Sequence, residues 1–330
     1  MKTKIVYVLV SSDSDIYLEQ AYVSIYSLKH HTPEAHIVVL TDSITASSFV
    51  GKRKEMVSLA NEVVVVELDP KMNGQKRSRQ LKTSVRNLVE GDFLFIDCDT
   101  IVTKPLDGID SINENIAACR DSHSDFNNNP YRDMCLRQGH LLNWPIDDEK
   151  DYFNSGVIYV KDTPETHEFY RLWNENLNKG YEKKVFMDQP SFAKTNYEMK
   201  HIVKHLDDAW NCELKHGIRY LKDAYIVHYL CTNPSRYQDK QLFLLNETDV
   251  LLELKRTGLI SDEIERVIEN PFEGIAETTC CFAGEDLFFL QSSIFVFFRR
   301  HFKKNKKTLV LILIFRLLNK IENMCYWCKK

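Results

Sequence analysis

The sequence predicts an α/β fold built on a doubly wound sheet. Three observations carry that reading: short unbroken apolar runs recur along the chain, segments with helical spacing alternate with them, and polar or acidic residues end the runs. Residues 5–10 form the first run, apolar throughout, as expected of a strand buried on both faces of a mainly parallel sheet. Ser11-Ser12-Asp13-Ser14-Asp15 is the loop at its carboxyl end, and Leu18, Ala21, Tyr22, Ile25 and Leu28 then recur at helical spacing. Residues 36–40 are the next strand, ended by Thr41-Asp42, and 62–68 another. Residues 81–89 read as a helix feeding the strand 93–96. Residues 157–160 are a strand entered through Tyr152-Phe153-Asn154-Ser155-Gly156. A helix begins at Asp162-Thr163 with Pro164 in its first turn, buries Phe169, Leu172, Trp173 and Leu177, and ends at Gly180. Met187-Asp188-Gln189-Pro190 opens a further segment, 225–228 is a last short strand, and 238–287 read as small helices.

Length and composition suit this class. A chain of 330 residues can hold two domains, or one large α/β domain with an appendage, and 44% hydrophobic with 27% charged residues is ordinary globular composition. The net charge of −4 is unevenly spread: residues 288–330 carry ten Lys/Arg and one acid, leaving residues 1–287 at −13. An acidic body makes a poor nucleic-acid binder, because phosphate attraction supplies most of that affinity. Nine cysteines are scattered through the expected strands and helices, and Met1-Lys2-Thr3-Lys4 leads into an apolar strand without a signal-peptide pattern, so a reducing cytoplasm is expected. Cys325 and Cys328 have redox-motif spacing but no strand–helix context to support it.

Asp97-Cys98-Asp99 follows the apolar run Phe93-Leu94-Phe95-Ile96. Ligands of such sheets bind beyond the carboxyl ends of the strands, so two carboxylates stand where a ligand is expected. Magnesium and manganese are commonly held by one or two carboxylates together with substrate phosphates, which makes this turn a candidate platform for a metal carrying a diphosphate. A solvated acidic turn is the plainer alternative. Asp13, Asn154, Asp188 and His228 stand at the other strand ends, His228 being equally readable alone as a core histidine.

The order of these motifs resembles glycosyltransferase family 8, which includes glycogenin and bacterial lipooligosaccharide galactosyltransferases and has the GT-A fold. The resemblance runs through Ser12-Asp13, Tyr17-Leu18, Val23-Ser24-Ile25-Tyr26-Ser27-Leu28, Leu40-Thr41-Asp42, Asp97-Cys98-Asp99-Thr100, Phe153-Asn154-Ser155-Gly156, Asp188-Gln189, Trp210-Asn211 and Val227-His228-Tyr229, across residues 5–236. It implies a GT-A domain over 1–236, a helical extension over 237–287, and a hexosyltransferase that takes a UDP-sugar with manganese or magnesium and retains the anomeric configuration. Asp97, Asp99 and His228 would hold the metal. Asp13 and Tyr17 would lie near the uracil, with Asp97 also near the ribose and Cys98 contributing backbone alone. Lys82, with Arg86 as second choice, would contact the donor from the preceding helix. Asn154, Gly156, Asp188 and Gln189 would line the sugar pocket, Asp188 or Gln189 being where a catalytic stabilising group is expected. In one departure, Cys231 and Pro234 occupy the positions where the family carries a glycine and a diphosphate-gripping lysine, and Arg236 could supply that cation instead.

Two other readings stay open on the residues alone. Leu94-Phe95-Ile96-Asp97-Cys98-Asp99-Thr100 also fits a haloacid-dehalogenase-type phosphatase with Asp97 as nucleophile, and a non-catalytic sugar- or membrane-binding module is the other. In the tail, 288–298 and 309–318 are apolar stretches well short of the ~20 residues that span a bilayer, and six Lys/Arg lie between Arg299 and Lys307. That pattern predicts helices lying on an anionic membrane surface, with a packed hairpin or a partner-binding tail as alternatives. A cytoplasmic peripheral enzyme with a glycan or lipid-linked acceptor is the resulting expectation.

Overall fold

The computed structural model describes residues 1–229 and 243–275, together with Ser292, Phe295, Leu313, Ile314 and Leu317. The chain divides into two compact units, Met1–Thr278 and Thr279–Lys330, and nearly all described residues belong to the first. Arg236, Cys231 and Pro234 lie outside the described residues, as do Cys325, Cys328 and all but five positions of the expected tail. Among the described residues no helix is long and apolar enough to cross a membrane.

The first unit alternates strands and helices. In order they are β1 (Lys4–Leu9), α1 (Tyr17–His31), β2 (Ile37–Asp42), α2 (Ser43–Ser47), α3 (Lys52–Val57), β3 (Glu62–Val66), α4 (Gly74–Lys82), α5 (Val85–Leu88), β4 (Phe93–Ile96) and β5 (Thr100–Val102). Then follow β6 (Ile116–Arg120), α6 (Arg132–Leu141), β7 (Phe153–Val160), α7 (Pro164–Glu182), α8 (Asp188–Glu198), β8 (Val203–His205), β9 (Cys212–Glu213), β10 (Ile226–His228), α9 (Thr248–Thr257) and α10 (Asp262–Glu269).

Seven strands form one sheet in the order β3-β2-β1-β4-β7-β6-β8. β3, β2, β1 and β4 are parallel, whereas β7 runs antiparallel to both β4 and β6, so the sheet is mixed. The antiparallel turn of direction brings the start of β7, with Asn154 and Gly156, to the carboxyl end of β4. A second, three-stranded sheet has the order β5-β10-β9, with β10 antiparallel to β5.

Strand alternation explains the two-layered core. Ile5, Tyr7 and Leu9 of β1 face a cluster containing Leu18, Ala21, Ile25 and Leu28 of α1, while Val6 and Val8 face one containing Phe169, Tyr170 and Trp173 of α7. Trp173 is wholly buried and meets Phe169, Tyr170 and Phe192 edge-on at centroid distances of 6.3, 5.3 and 4.8 Å. Truncating such a ring to alanine costs about 3–5 kcal/mol. A reciprocal capping box between Thr163 and Thr166, with Pro164 at the first position, starts α7 where expected. Leu251 and Leu254 of α9 and Ile264, Val267 and Ile268 of α10 join the same cluster as β1 and α1, so the described part of the expected helical extension shares the core of the body.

The structure corrects the helix expected over 81–89. The helix is α4, from Gly74 to Lys82, and only the short α5 follows it. The break falls at Thr83-Ser84, where the Thr83 hydroxyl donates to the Arg79 and Gln80 carbonyls and the Ser84 hydroxyl to the Gln80 carbonyl. Side-chain hydroxyls bonded back to carbonyls in this way compete with helix continuation.

Candidate active site

Local geometry fixes the turn after β4. Asp97 N donates to Gly156 O at 2.8 Å, extending the β4–β7 pairing by one residue, and the Thr100 hydroxyl donates to Asp97 O at 2.9 Å. Cys98 Sγ reaches back to Val8 O at 3.4 Å, so its side chain is turned into the fold and away from the ligand side. Burial, reinforced by Asp97 and Asp99, pushes the Cys98 thiol well above its usual range. β10 pairs His228 with Thr100 and so sets the histidine beside the acidic turn.

Three expected metal ligands therefore converge. One ligand atom from each of Asp97, Asp99 and His228 lies within 4.8 Å of the others. His228 Nε2 is 3.1 Å from Asp99 Oδ1, and its Nδ1 is 3.0 Å from Asn211 Oδ1. Burial would lower the imidazole pKa, but the Asp99 carboxylate outweighs it and holds His228 above its ordinary value. Asp99 is correspondingly lowered: burial raises it, and His228 more than reverses that. Asp97 is raised by burial and by the neighbouring Asp99, against the pull of Lys82. Two carboxylates and an imidazole whose far nitrogen is committed to an amide oxygen are a donor set suited to manganese.

A second ion cluster backs the first. Lys82, nearly buried, places its Nζ 3.1 Å from Asp97 Oδ1 and 3.1 Å from Asp188 Oδ2. Arg79, one helical turn earlier on α4, puts Nε 3.3 Å from Asp188 Oδ1, and the Ser155 hydroxyl donates to Asp188 Oδ2. Burial alone would raise Asp188, but Lys82 and Arg79 reverse it and hold the carboxyl down at about 2. Desolvation likewise would lower Lys82, and Asp188 with Asp97 overcomes it, leaving the ammonium raised and firmly charged. Arg86, the second choice for this role, is buried instead against Asp162 at 3.1 Å.

The remaining expected residues fall in different surroundings. Gly156 is required sterically: a Cβ there would stand 2.5 Å from His228 Cε1 and 2.9 Å from both Asn154 Oδ1 and Asp97 Oδ2. Asn154 is buried and its amide is spent on Gly156 N, Asn211 and Asp121. Gln189 Nε2 donates to Asp121 Oδ1 at 2.8 Å. Asp13 and Tyr17 stand on the solvent side of the loop after β1. That loop is held from beneath by buried Arg53, which donates to Ser12 O and Ser11 Oγ, and by Lys255 of α9, which donates to the carbonyls of Asp13 at 2.7 Å and Asp15 at 2.5 Å.

Sequence reasoning missed Arg79, Asp121, Arg53 and Lys255. Two of them carried a signal: Arg79 lies three residues before Lys82 on one helix face, and Asp121 ends the apolar run Ile116-Ala117-Ala118-Cys119 one residue after Arg120, much as Asp97 ends its own strand. Arg53 and Lys255 carried none, since each acts on a loop distant from it in sequence.

Residues 86–247 match the family model described as nucleotide-diphospho-sugar transferase. No curated protein sequence matches the chain. Among solved structures, the WbbM bifunctional glycosyltransferase in its apo form superposes with a TM-score of 0.50 at 17% identity over 70% of this chain and 46% of that one. This chain thus spans about half of WbbM's length. The galactosyltransferase LgtC, solved with donor and acceptor sugar analogs, superposes with a TM-score of 0.53 at 13% identity over 81% of this chain and all of that one. At such identities the likeness is one of fold.

Proposed function

We propose that this chain, a glycosyltransferase of the GT-A class, moves a hexose from a UDP-sugar to a glycan or lipid-linked glycan in a divalent-metal-dependent reaction with retention at the anomeric carbon. The observation that carries the reading is the meeting of Asp97, Asp99 and His228 at the strand ends, with Lys82, Arg79 and Asp188 immediately behind. Asp97, Asp99 and His228 would hold manganese or magnesium, which when bound supplies Lewis-acid neutralisation of charge on the leaving diphosphate. The chain's own residues do the rest. Lys82 holds Asp97 and Asp188 in place as a fixed positive charge, Asp13 and Tyr17 offer a rim for the base, and Gln189 presents its amide toward the sugar. Asp188 stays ionised at neutral pH and is available to stabilise positive charge developing at the anomeric centre.

The phosphatase alternative needs Asp97 as a free nucleophile and Asp99 as a general acid. Asp97 is instead paired with Lys82, Asp99 is held ionised by His228, and the fold is that of sugar transferases. The test is calorimetric titration with UDP and manganese, together with donor hydrolysis followed in the presence of a chelator. Asp99→Ala should abolish both while the protein stays folded, with Tm lowered because His228 loses its charged partner. A folded Asp99→Ala protein that turns over donor in chelator would refute the proposal.

The acceptor and location rest on the sequence of residues 288–330. Their alternation of apolar stretches with a polybasic block supports attachment to the cytoplasmic face of an anionic membrane. Vesicle co-sedimentation of full-length protein and a variant lacking 288–330, with and without anionic lipid, decides it, and equal partitioning of the two forms would refute it.

A further inference from the structure

The two edges of the seven-stranded sheet are finished differently. β8 closes one of them with only Val203, Lys204 and His205, and both Lys204 and His205 are exposed. A very short edge strand that carries a lysine is a usual protection against pairing with another chain. β3 closes the other edge with Glu62-Val63-Val64-Val65-Val66, and no lysine, proline or bulge interrupts it. Val64 and Val66 pack on the core layer that holds Val38 and Leu40. Val63 and Val65 turn to the opposite face, where they are 38% and 49% exposed.

Which peptide groups of β3 face outward follows from the pairing of its neighbours. Ile5 N donates to His36 O, so the even-numbered residues of β2 turn their backbone groups toward β1. The odd-numbered ones turn toward β3: Ile37 N donates to Asn61 Oδ1, and Ile37 O accepts from Asn61 N, both at 2.9 Å. In a parallel pair a residue bonds the two neighbours of the residue beside it. Val39 and Thr41, in register with Val63 and Val65, therefore bond Glu62, Val64 and Val66. The N–H and C=O groups of Val63 and Val65 point away from the sheet, and among the described residues nothing bonds them.

We propose that the β3 edge is a dimer interface, in which two copies of this chain join their sheets by antiparallel pairing about a twofold axis at Val64. That axis sets Val63 opposite the partner's Val65. The Val63 N–H then meets the C=O of the partner's Val65, the Val65 N–H meets the C=O of the partner's Val63, and symmetry repeats both bonds. Every outward donor and acceptor of these two residues is satisfied. Val64 lies across the axis from its own copy, and the exposed valines of both copies gather on one face. Glu62 falls opposite the partner's Val66, so no like charges oppose one another along β3. A foreign strand could meet the same peptide groups, but the match of valine to valine without opposed charge is a property of β3 against itself. Such isologous twofold contacts are the commonest form of association among soluble chains.

Sedimentation velocity over a concentration series, on the full chain, compares wild type, Val65→Pro, Val63→Lys, Val65→Glu and the double variant Val63→Lys/Val65→Glu. Circular dichroism and thermal unfolding check that each is folded. Wild type should dimerise. Val65→Pro removes an outward N–H and no bond to β2, so the fold should stand while the dimer dissociates. Each charged single variant sets a charge against a valine of the partner and should weaken the dimer. In the double variant the introduced lysine of each copy faces the introduced glutamate of the other, and the dimer should tighten about tenfold over either single variant. A wild type that stays monomeric throughout overturns the proposal, the edge then being bare or covered by the chain's own residues. A dimer indifferent to Val65→Pro, or to both charged single variants, would lie on another surface and overturns it too. A double variant no tighter than the single ones overturns the twofold pairing at Val64. Should Val65→Pro fail to fold, the charged variants decide the matter, since their side chains stand on the exposed face of β3.

Discussion

Gly156→Ala is the sharpest single perturbation of this site. The residue lies within β7, where its backbone conformation suits any amino acid, so the effect of an added methyl is purely one of space. That space is already taken by His228 Cε1 at 2.5 Å and by oxygens of Asn154 and Asp97 at 2.9 Å. His228 cannot swing aside, being 2% exposed and tied through Nδ1 to Asn211, and Asn154 is locked between Gly156 N and Asn211. Overpacking of this kind costs about 1–3 kcal/mol, and a body of this size loses roughly 2–4 °C in Tm for each kcal/mol. The binding effect should be larger, because two expected metal ligands are pushed together: manganese affinity should drop by at least the roughly 10–100-fold seen when outer-shell support is lost. Thermal unfolding and manganese titration on the same preparation measure both. Gly108→Ala is the control, since a Cβ there meets only Trp210 Cζ2 at an ordinary 3.7 Å. A Gly156→Ala protein with wild-type Tm and wild-type manganese affinity would show that the ligands are not arranged as described.

Four other outcomes are expected. Manganese affinity should rise with pH through the raised pKa of His228, because the imidazolium must lose its proton to become a ligand; affinity that is flat from acid to neutral pH would contradict this. In metal-free protein the same pair has the opposite signature. The His228 contribution to stability is full below the ordinary imidazole value of 6.5 and is lost as pH rises through the higher folded value, while that of Asp99 is full above 3.8 and is lost as pH falls through its depressed folded value, so denaturation at stepped pH should show the pair's largest contribution between the two. Lys82→Met should destabilise the protein by about 3 kcal/mol in chemical denaturation, since it leaves Asp97 and Asp188 without their shared cation, whereas Lys82→Arg should lose much less. Cys98→Ala should keep most activity, and Cys98 should resist alkylation in native protein, because its thiol is raised by burial and turned toward Val8 O.

The strands that face apolar layers on both sides were legible in the sequence because continuous burial leaves continuous hydrophobic runs, as in β1, β2 and β4. Asp97 and His228 were legible because the one directly follows and the other ends such a run, and Asp99 because it completes an Asp-x-Asp with Asp97. The antiparallel sense of β7 was not: a strand buried on both faces looks the same in either direction, and the direction is set by where the chain has come from. The short strands β5, β8 and β9 hold two or three residues each, too few to show a period. Asp121 escaped notice for a different reason. Its carboxylate is met by the amides of Asn129, Asn154 and Gln189, which lie 8, 33 and 68 positions away, and so scattered a set of partners leaves no trace in spacing.

The grip of Lys255 on the loop after β1 joins residues 240 positions apart. On a ribosome adding 5–20 residues per second, roughly 12–48 s separate the synthesis of the two. The parallel strands β1 to β4 can pair well before then, yet the loop proposed to receive the base lacks its clasp until α9 has emerged. A nascent chain stalled short of residue 255 would accordingly carry a formed sheet and an unfinished donor rim, so competence for nucleotide arrives late in the life of each molecule.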